Sequence, residues 1–240
     1  MEIRGSTVLI TGAARRIGQM IAIGLAQEGA NIILHHAHAD QDALETSEKI
    51  SSFGVNCTIL KADFSDIEQT ENFVKTAFNL GPVHGLINNA AIFEPVKFEN
   101  TTIQSWQQHM NINLTSAFLL SQAMGNQTID QGRIINILDW RALRPGKDHF
   151  PYTISKGALV TLTQASALAL APRITVNGIA FGAILPPSDN NNTSDSIIKS
   201  VPISRWAQAE EVVKTILFLL SGPDYITGEI IHLDGGRHLV

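Results

Sequence analysis

Short apolar runs alternate with longer amphipathic stretches along almost the whole chain. Residues 7–10 (TVLI) form the first run, rich in β-formers, and it breaks at Thr11-Gly12. From 17 to 28, Ile17, Ile21 and Leu25 recur at helical spacing, and the pattern closes at Gly29. Strands are predicted next at 31–34, 55–60 and 83–87, and helices at 40–53 and 65–79, with Asp40 and Ser65 as the expected caps. The second half predicts a long helix over 102–124, a strand at 133–138, a helix at 152–170 and a strand at 174–179. A helix at 208–220 and a strand at 229–233 follow, before Asp234-Gly235-Gly236. Seven strands alternating with helices predict an α/β fold: one doubly wound domain over 1–240, its parallel sheet covered by helices on both faces. One stretch departs from the pattern. Residues 186–200 (PPSDNNNTSDSIIKS) are polar and asparagine-rich, either a surface loop or a substrate lid. Their place after the sixth strand favours a lid, drawn around 183–205.

Composition narrows the classes. Hydrophobic residues are 44% and charged residues 16% of the 240, enough for a core and too apolar for a disordered chain. The net charge of −5, without a basic run, argues against nucleic acid and against anionic membranes as partners. A single cysteine, Cys57, excludes an internal disulfide. With no secretory leader in MEIRGSTVLI and no apolar run of about 18 residues, the expected location is the cytoplasm.

The turn after the first strand reads Thr11-Gly12-Ala13-Ala14-Arg15-Arg16-Ile17-Gly18. Glycines there let backbone approach a pyrophosphate, and the helix start offers free N–H groups and a positive dipole end. Alone it is only a tight turn; opening the first βαβ unit, it reads as a nucleotide site. The end of the second strand, Leu34-His35-His36-Ala37-His38, carries no acid for a ribose 2′-hydroxyl. Arg16 with His36 or His38 suits a 2′-phosphate instead, so NADP(H) is the expected cofactor. No acid or cysteine stands at ligand spacing from these histidines, and no metal is expected. Asp63, after the third strand, is placed to meet the adenine, and Asn88-Asn89-Ala90 ends the fourth strand at the same sheet edge. Tyr152 and Lys156 stand four apart on one helix face, where an ammonium beside a phenol makes it a usable proton donor.

Together these motifs resemble the short-chain dehydrogenase/reductase family over nearly the whole chain, joined by Asn113, Val176-Asn177 and the closing Asp234-Gly235-Gly236. The resemblance implies a Rossmann fold and a nicotinamide cofactor. It implies Tyr152 as proton donor, Lys156 as its partner on the ribose, and Asn113 holding a water that links the lysine to solvent. The cofactor site is expected to draw on Gly12, Arg16, Ile17, Gly18, His36, His38, Asp63, Phe64, Asn89, Ala90, Tyr152, Lys156, Gly182 and Ile184. A homo-oligomer, with a tetramer favoured, is implied through the apolar faces of 102–124 and 152–170.

The departures sharpen the expectation. The family's middle turn glycine is Arg16 here, and its catalytic serine, 13 residues before the tyrosine, is Asp139. Both changes, with Phe93 after Asn-Asn-Ala, look like the pteridine reductase branch. That likeness implies Phe93 stacking on a pterin, Asp139 joining Tyr152 in proton delivery, and Arg16 touching cofactor and substrate. A carboxylate at 139 repels a carbonyl oxygen gaining charge but suits a heterocycle rich in N–H donors, and it holds the tyrosine protonated. The family's Pro-Gly after the sixth strand is Phe181-Gly182, so the nicotinamide end is shaped differently. The expected activity is NADPH-dependent reduction of a pterin or dihydrofolate. The alternatives are a carbonyl reductase of 3-oxoacyl thioesters or sugars, and a nucleotide-binding regulator without turnover.

Overall fold

The structure, a computed structural model, describes residues 1–186 and 194–240. Part of the expected lid, 187–193, lies outside the described residues. Seven parallel strands form one sheet: β1 (Thr7–Ile10), β2 (Asn31–His36), β3 (Cys57–Lys61), β4 (Gly85–Asn88), β5 (Gly132–Asp139), β6 (Ile174–Phe181) and β7 (Ile230–Leu233). The sheet order is β3-β2-β1-β4-β5-β6-β7. The order reverses between β1 and β4, where a crevice opens beyond the carboxyl ends of the strands.

Both faces of the sheet are covered, which is why the strands read as continuous apolar runs. Val8, Ile10, Ile32 and Leu34 pack on one side with Ile21 and Leu25 of α1 (Arg16–Gln27) and Ile50 of α2 (Asp40–Ser51). Leu9 and Ile33 point the other way, onto Phe73 and Ala77 of α3 (Ile67–Asn79). Leu120 and Met124, further along the chain, join that second layer.

Three local expectations are corrected. The helix expected over 102–124 is not uniform. It runs as α4 (Ile103–Met110), a π-helical turn (Asn111–Thr115) and α5 (Ser116–Gly125). Ser65 does not cap α3. Asp63 Oδ1 accepts from the Ser65 N–H (2.9 Å), and the cap moves to Asp66, whose Oδ1 accepts from Glu68 and Gln69 N–H. Asp40 does not cap α2 either; it is the first helical residue, and its carboxylate accepts from Lys61 Nζ at 2.7 and 2.9 Å. The remaining helices are α6 (Phe150–Leu170), α7 (Ser194–Lys199) and α8 (Ala209–Ser221). No helix among the described residues is long and apolar enough to cross a membrane.

Candidate active site

The turn after β1 is held from three sides. Thr11 Oγ1 accepts from the Asn89 and Ala90 N–H groups, both at 2.9 Å. Asn89 Nδ2 donates back to the Thr11 and Gly12 carbonyls at 2.9 and 3.1 Å. A Cβ on Gly18 would lie 2.1 Å from the Gly12 carbonyl oxygen, so only glycine lets α1 approach its own entry loop this closely. Arg16 sits at φ 54°, the left-handed region that explains why a glycine is common there. Its guanidinium donates to the Pro186 carbonyl (3.0 Å), tying the turn to the chain beyond β6.

The three histidines after the second strand's core part company. His35 is buried, a role the sequence did not reveal. Its Nδ1 accepts from the Gly12 N–H (3.0 Å), and its Nε2 lies 3.0 Å from the Ala62 carbonyl. Its ring stacks on Phe64 at 4.0 Å. Burial pushes its pKa down to about 4, so it is a neutral structural pin under the glycine turn. His36 is also buried, and its Nδ1 has no partner among the described residues. His38 is exposed and lies 3.2 Å from Asp63 Oδ2. Gly12, Arg16, Ile17, Gly18, His36, His38, Asp63, Phe64, Asn89 and Ala90 thus line one cleft of about 450 Å³. Gly182 and Ile184 do not join it. Gly182 packs against Asp234, and Ile184 is buried in the core.

Beyond the cleft, β5 and α6 bring Asp139 and Tyr152 together. The Tyr152 hydroxyl donates to Asp139 Oδ2 (3.1 Å), and Asp139 Oδ1 accepts from the Arg141 N–H (2.8 Å). Burial and then the Asp139 charge raise the Tyr152 pKa well above its usual 10. Burial also raises the Asp139 carboxyl above its ordinary range, against the lowering pull of its hydrogen bonds. Lys156 is buried beside them and its pKa falls to about 8 through desolvation. Its ammonium donates to the Ile137 carbonyl (2.7 Å) and lies 5.9 Å from the Tyr152 ring centre. The lysine therefore does not set the phenol's protonation; burial and Asp139 do, and they keep the proton on.

Asn113 lies in the π-helical turn, a distortion frequent at functional sites. Its Oδ1 accepts from the Ile92 N–H (2.9 Å), and its Nδ2 donates to the Ile92 carbonyl (3.2 Å) and to Ser155 Oγ (3.0 Å). Ser155 Oγ donates in turn to the Tyr152 carbonyl (2.7 Å). Ile92 lines the cleft, so this chain of bonds couples the cleft wall to the tyrosine.

Phe93 closes the site edge-on to Tyr152, with ring centres 4.7 Å apart. One of its faces is stacked on His149 at 3.8 Å, yet the residue stays 51% exposed, leaving surface for a flat ligand. His149 has φ 55° and its Nδ1 lies 2.9 Å from Asp148 Oδ2; Asp148 also accepts from Arg141 (3.0 Å). No spacing signal marks His149, Asp148 or Arg141, which lie in the loop and the first turn between β5 and α6. No group of three or more His, Cys, Asp or Glu among the described residues could hold a metal ion.

The geometry meets its relatives here. Residues 12–238 match the family model described as Enoyl-(Acyl carrier protein) reductase. A 3-oxoacyl-[acyl-carrier-protein] reductase of Synechocystis is 30% identical, with 95% of each chain covered. A 2-dehydro-3-deoxy-D-gluconate 5-dehydrogenase of Bacillus subtilis is 35% identical over 98% of this chain and 95% of its own. Among solved structures, FolM alternative dihydrofolate reductase 1 from Brucella canis, complexed with NADP, superposes with a TM-score of 0.90. It is 32% identical, and the match covers 100% of this chain and 97% of that one.

Proposed function

This chain belongs to the short-chain dehydrogenase/reductase family, and we propose that within it the protein is an NADPH-dependent reductase of pterins or dihydrofolate. The observation that carries the substrate is the Asp139–Tyr152 hydrogen bond, a carboxylate where the family places a serine hydroxyl.

The residues of the cleft fit a phosphorylated dinucleotide. No side chain caps the start of α1, its first residues Arg16, Ile17 and Gly18 line the cleft, and the orphaned His36 Nδ1 lies in the same wall. Arg15, Arg16 and His38 add positive or protonatable groups, and no acid ends β2. NADP(H) is the cofactor on this reading, and when bound it supplies the hydride. The similarity to an NADP-complexed structure supports the same choice.

Tyr152 holds the proton. Its raised pKa keeps the hydroxyl intact across the neutral range, so an O–H bond is available when a ring C=N gains hydride at carbon. The new N–H bond forms as the Tyr152 O–H bond breaks, and the phenolate left behind regains its proton from solvent. Asp139 accepts N–H donors of a 2-amino-4-oxopteridine, which a ketone does not offer. Phe93 presents an aromatic wall to the ring. Asn113 acts through Ser155, fixing the backbone of Tyr152.

A carbonyl reductase is the second reading, favoured by the relatives named 3-oxoacyl-[acyl-carrier-protein] reductase. The Asp139 carboxylate stands against it, because charge developing on a carbonyl oxygen would meet a like charge. Asp139→Ser tests the choice. It should lower kcat for dihydropterin reduction by roughly 10²-fold without producing strong ketone reduction. Undiminished pterin reduction in that variant would remove Asp139 from the chemistry. The same proposal includes a homo-oligomer, with a tetramer favoured: Phe118, Ile154 and Leu168 leave apolar surface on α5 and α6 exposed.

A further inference from the structure

Next to the Asp139–Tyr152 pair lies a second cavity, of about 500 Å³, that the chemistry above does not use. Trp140, the residue after Asp139, forms one wall. Arg144, Lys199 and Arg237 line it, with Pro202 at its edge. None of the three cations takes part in an ion pair among the described residues. Arg141 and Arg205, by contrast, have Asp148 and Glu211. In a chain of net charge −5, three cations with no ion-pair partner among the described residues, gathered around one cavity, make a local positive field.

The walls combine charge with an aromatic shelf. The Arg237 guanidinium lies 4.5 Å from the Trp140 ring centre and that of Arg141 lies 5.1 Å from it. Burial first, then the Arg141 charge, holds the Arg237 pKa below its usual range, against the raising pull of the Asp139 and Asp234 charges. Arg144 and Lys199 stand exposed at the mouth. Such a set suits a ligand arm with a flat ring followed by carboxylate or phosphate oxygens.

We propose that this cavity is an anion subsite for the tail of the substrate, its Trp140 wall leading from Asp139 to Arg144, Lys199 and Arg237. The proposal rests on the pterin reading for the identity of that tail. A bare dihydrobiopterin side chain is neutral, whereas dihydrofolate carries an aminobenzoyl ring and two glutamyl carboxylates. The preferred substrate on this reading is therefore the folate. The phosphate of a phosphopantetheine arm offers the other source of the same chemistry.

Two measurements test it. The first is calorimetric binding of 4-aminobenzoyl-glutamate, and separately of 4′-phosphopantetheine, to the NADP-loaded protein. The second is kcat/KM for dihydrofolate against dihydrobiopterin. Both use wild type and the Arg144→Ala/Lys199→Ala double variant. The expected result is binding of 4-aminobenzoyl-glutamate that weakens about tenfold in the double variant and weakens at high salt. The double variant should also reduce kcat/KM for dihydrofolate about tenfold more than for dihydrobiopterin. Variant-sensitive binding of phosphopantetheine alone keeps the anion subsite and reassigns its tail to a phosphate. If neither probe binds, or the double variant changes nothing, the subsite is overturned even where pterins are reduced. If no pterin is reduced but either probe binds with the same variant dependence, the subsite stands and the pterin reading falls.

Discussion

Protonation of His35 should loosen the glycine turn, and the structure sets the size of the effect. The neutral ring accepts from the Gly12 N–H at Nδ1, faces the Ala62 carbonyl with Nε2, and lies flat on Phe64. A proton on Nδ1 would set one donor against another in a buried position. The pKa is about 4 in the fold against 6.5 in an open chain. Because the folded value is depressed, the associated stability is complete above pH 6.5 and is lost as the pH falls toward 4. The difference corresponds to roughly 3 kcal/mol in all, most of it lost by about pH 4.5. Urea unfolding at neutral pH and at about pH 4.5, on wild type and His35→Gln, isolates this contribution, since glutamine accepts from Gly12 without titrating. Wild type should lose roughly 2 kcal/mol more than the variant over that interval, and its NADPH affinity should fall in parallel. Equal acid sensitivity of the two proteins would refute the assignment of His35 as the pin.

Wild type should bind NADPH at least about tenfold more tightly than NADH, about 1.4 kcal/mol, and Arg16→Ala should erode that preference in side-by-side titrations. Equal dissociation constants in wild type would contradict it. Phe93→Ala should raise KM for dihydropterins about fivefold, the scale of roughly 1 kcal/mol of aromatic contact, with kcat changed less. Light scattering at micromolar concentration should give a multiple of the 26.0 kDa chain mass, and a monomer would count against the oligomer.

The layer order was legible because the central parallel strands are buried on both faces. Val8 and Leu9 point to opposite layers, and neither can be polar. The glycine turn was legible because a Cβ at position 18 would run into the Gly12 carbonyl oxygen, leaving Gly18 no alternative. Asp139 and Tyr152 were legible as a pair through their fixed spacing across a family pattern, although their residues belong to different elements. The π-helical turn was not, since one extra residue in a helical turn leaves the apolar spacing of 103–125 nearly unchanged. His35 was hidden because a strand histidine looks the same whether it faces a phosphate or pins a turn. The Trp140–Arg237 contact joins residues almost a hundred positions apart, with no local signal at either end.

The central claim is that Asp139 turns this scaffold toward ring C=N reduction. NADPH oxidation followed with dihydrobiopterin, dihydrofolate and an acetoacetyl thioester, in parallel on one preparation, tests it most directly. The expected result is turnover of dihydropterins with little or none of the thioester. Efficient reduction of the thioester with neither pterin nor folate consumed would contradict it and would make the protein a carbonyl reductase.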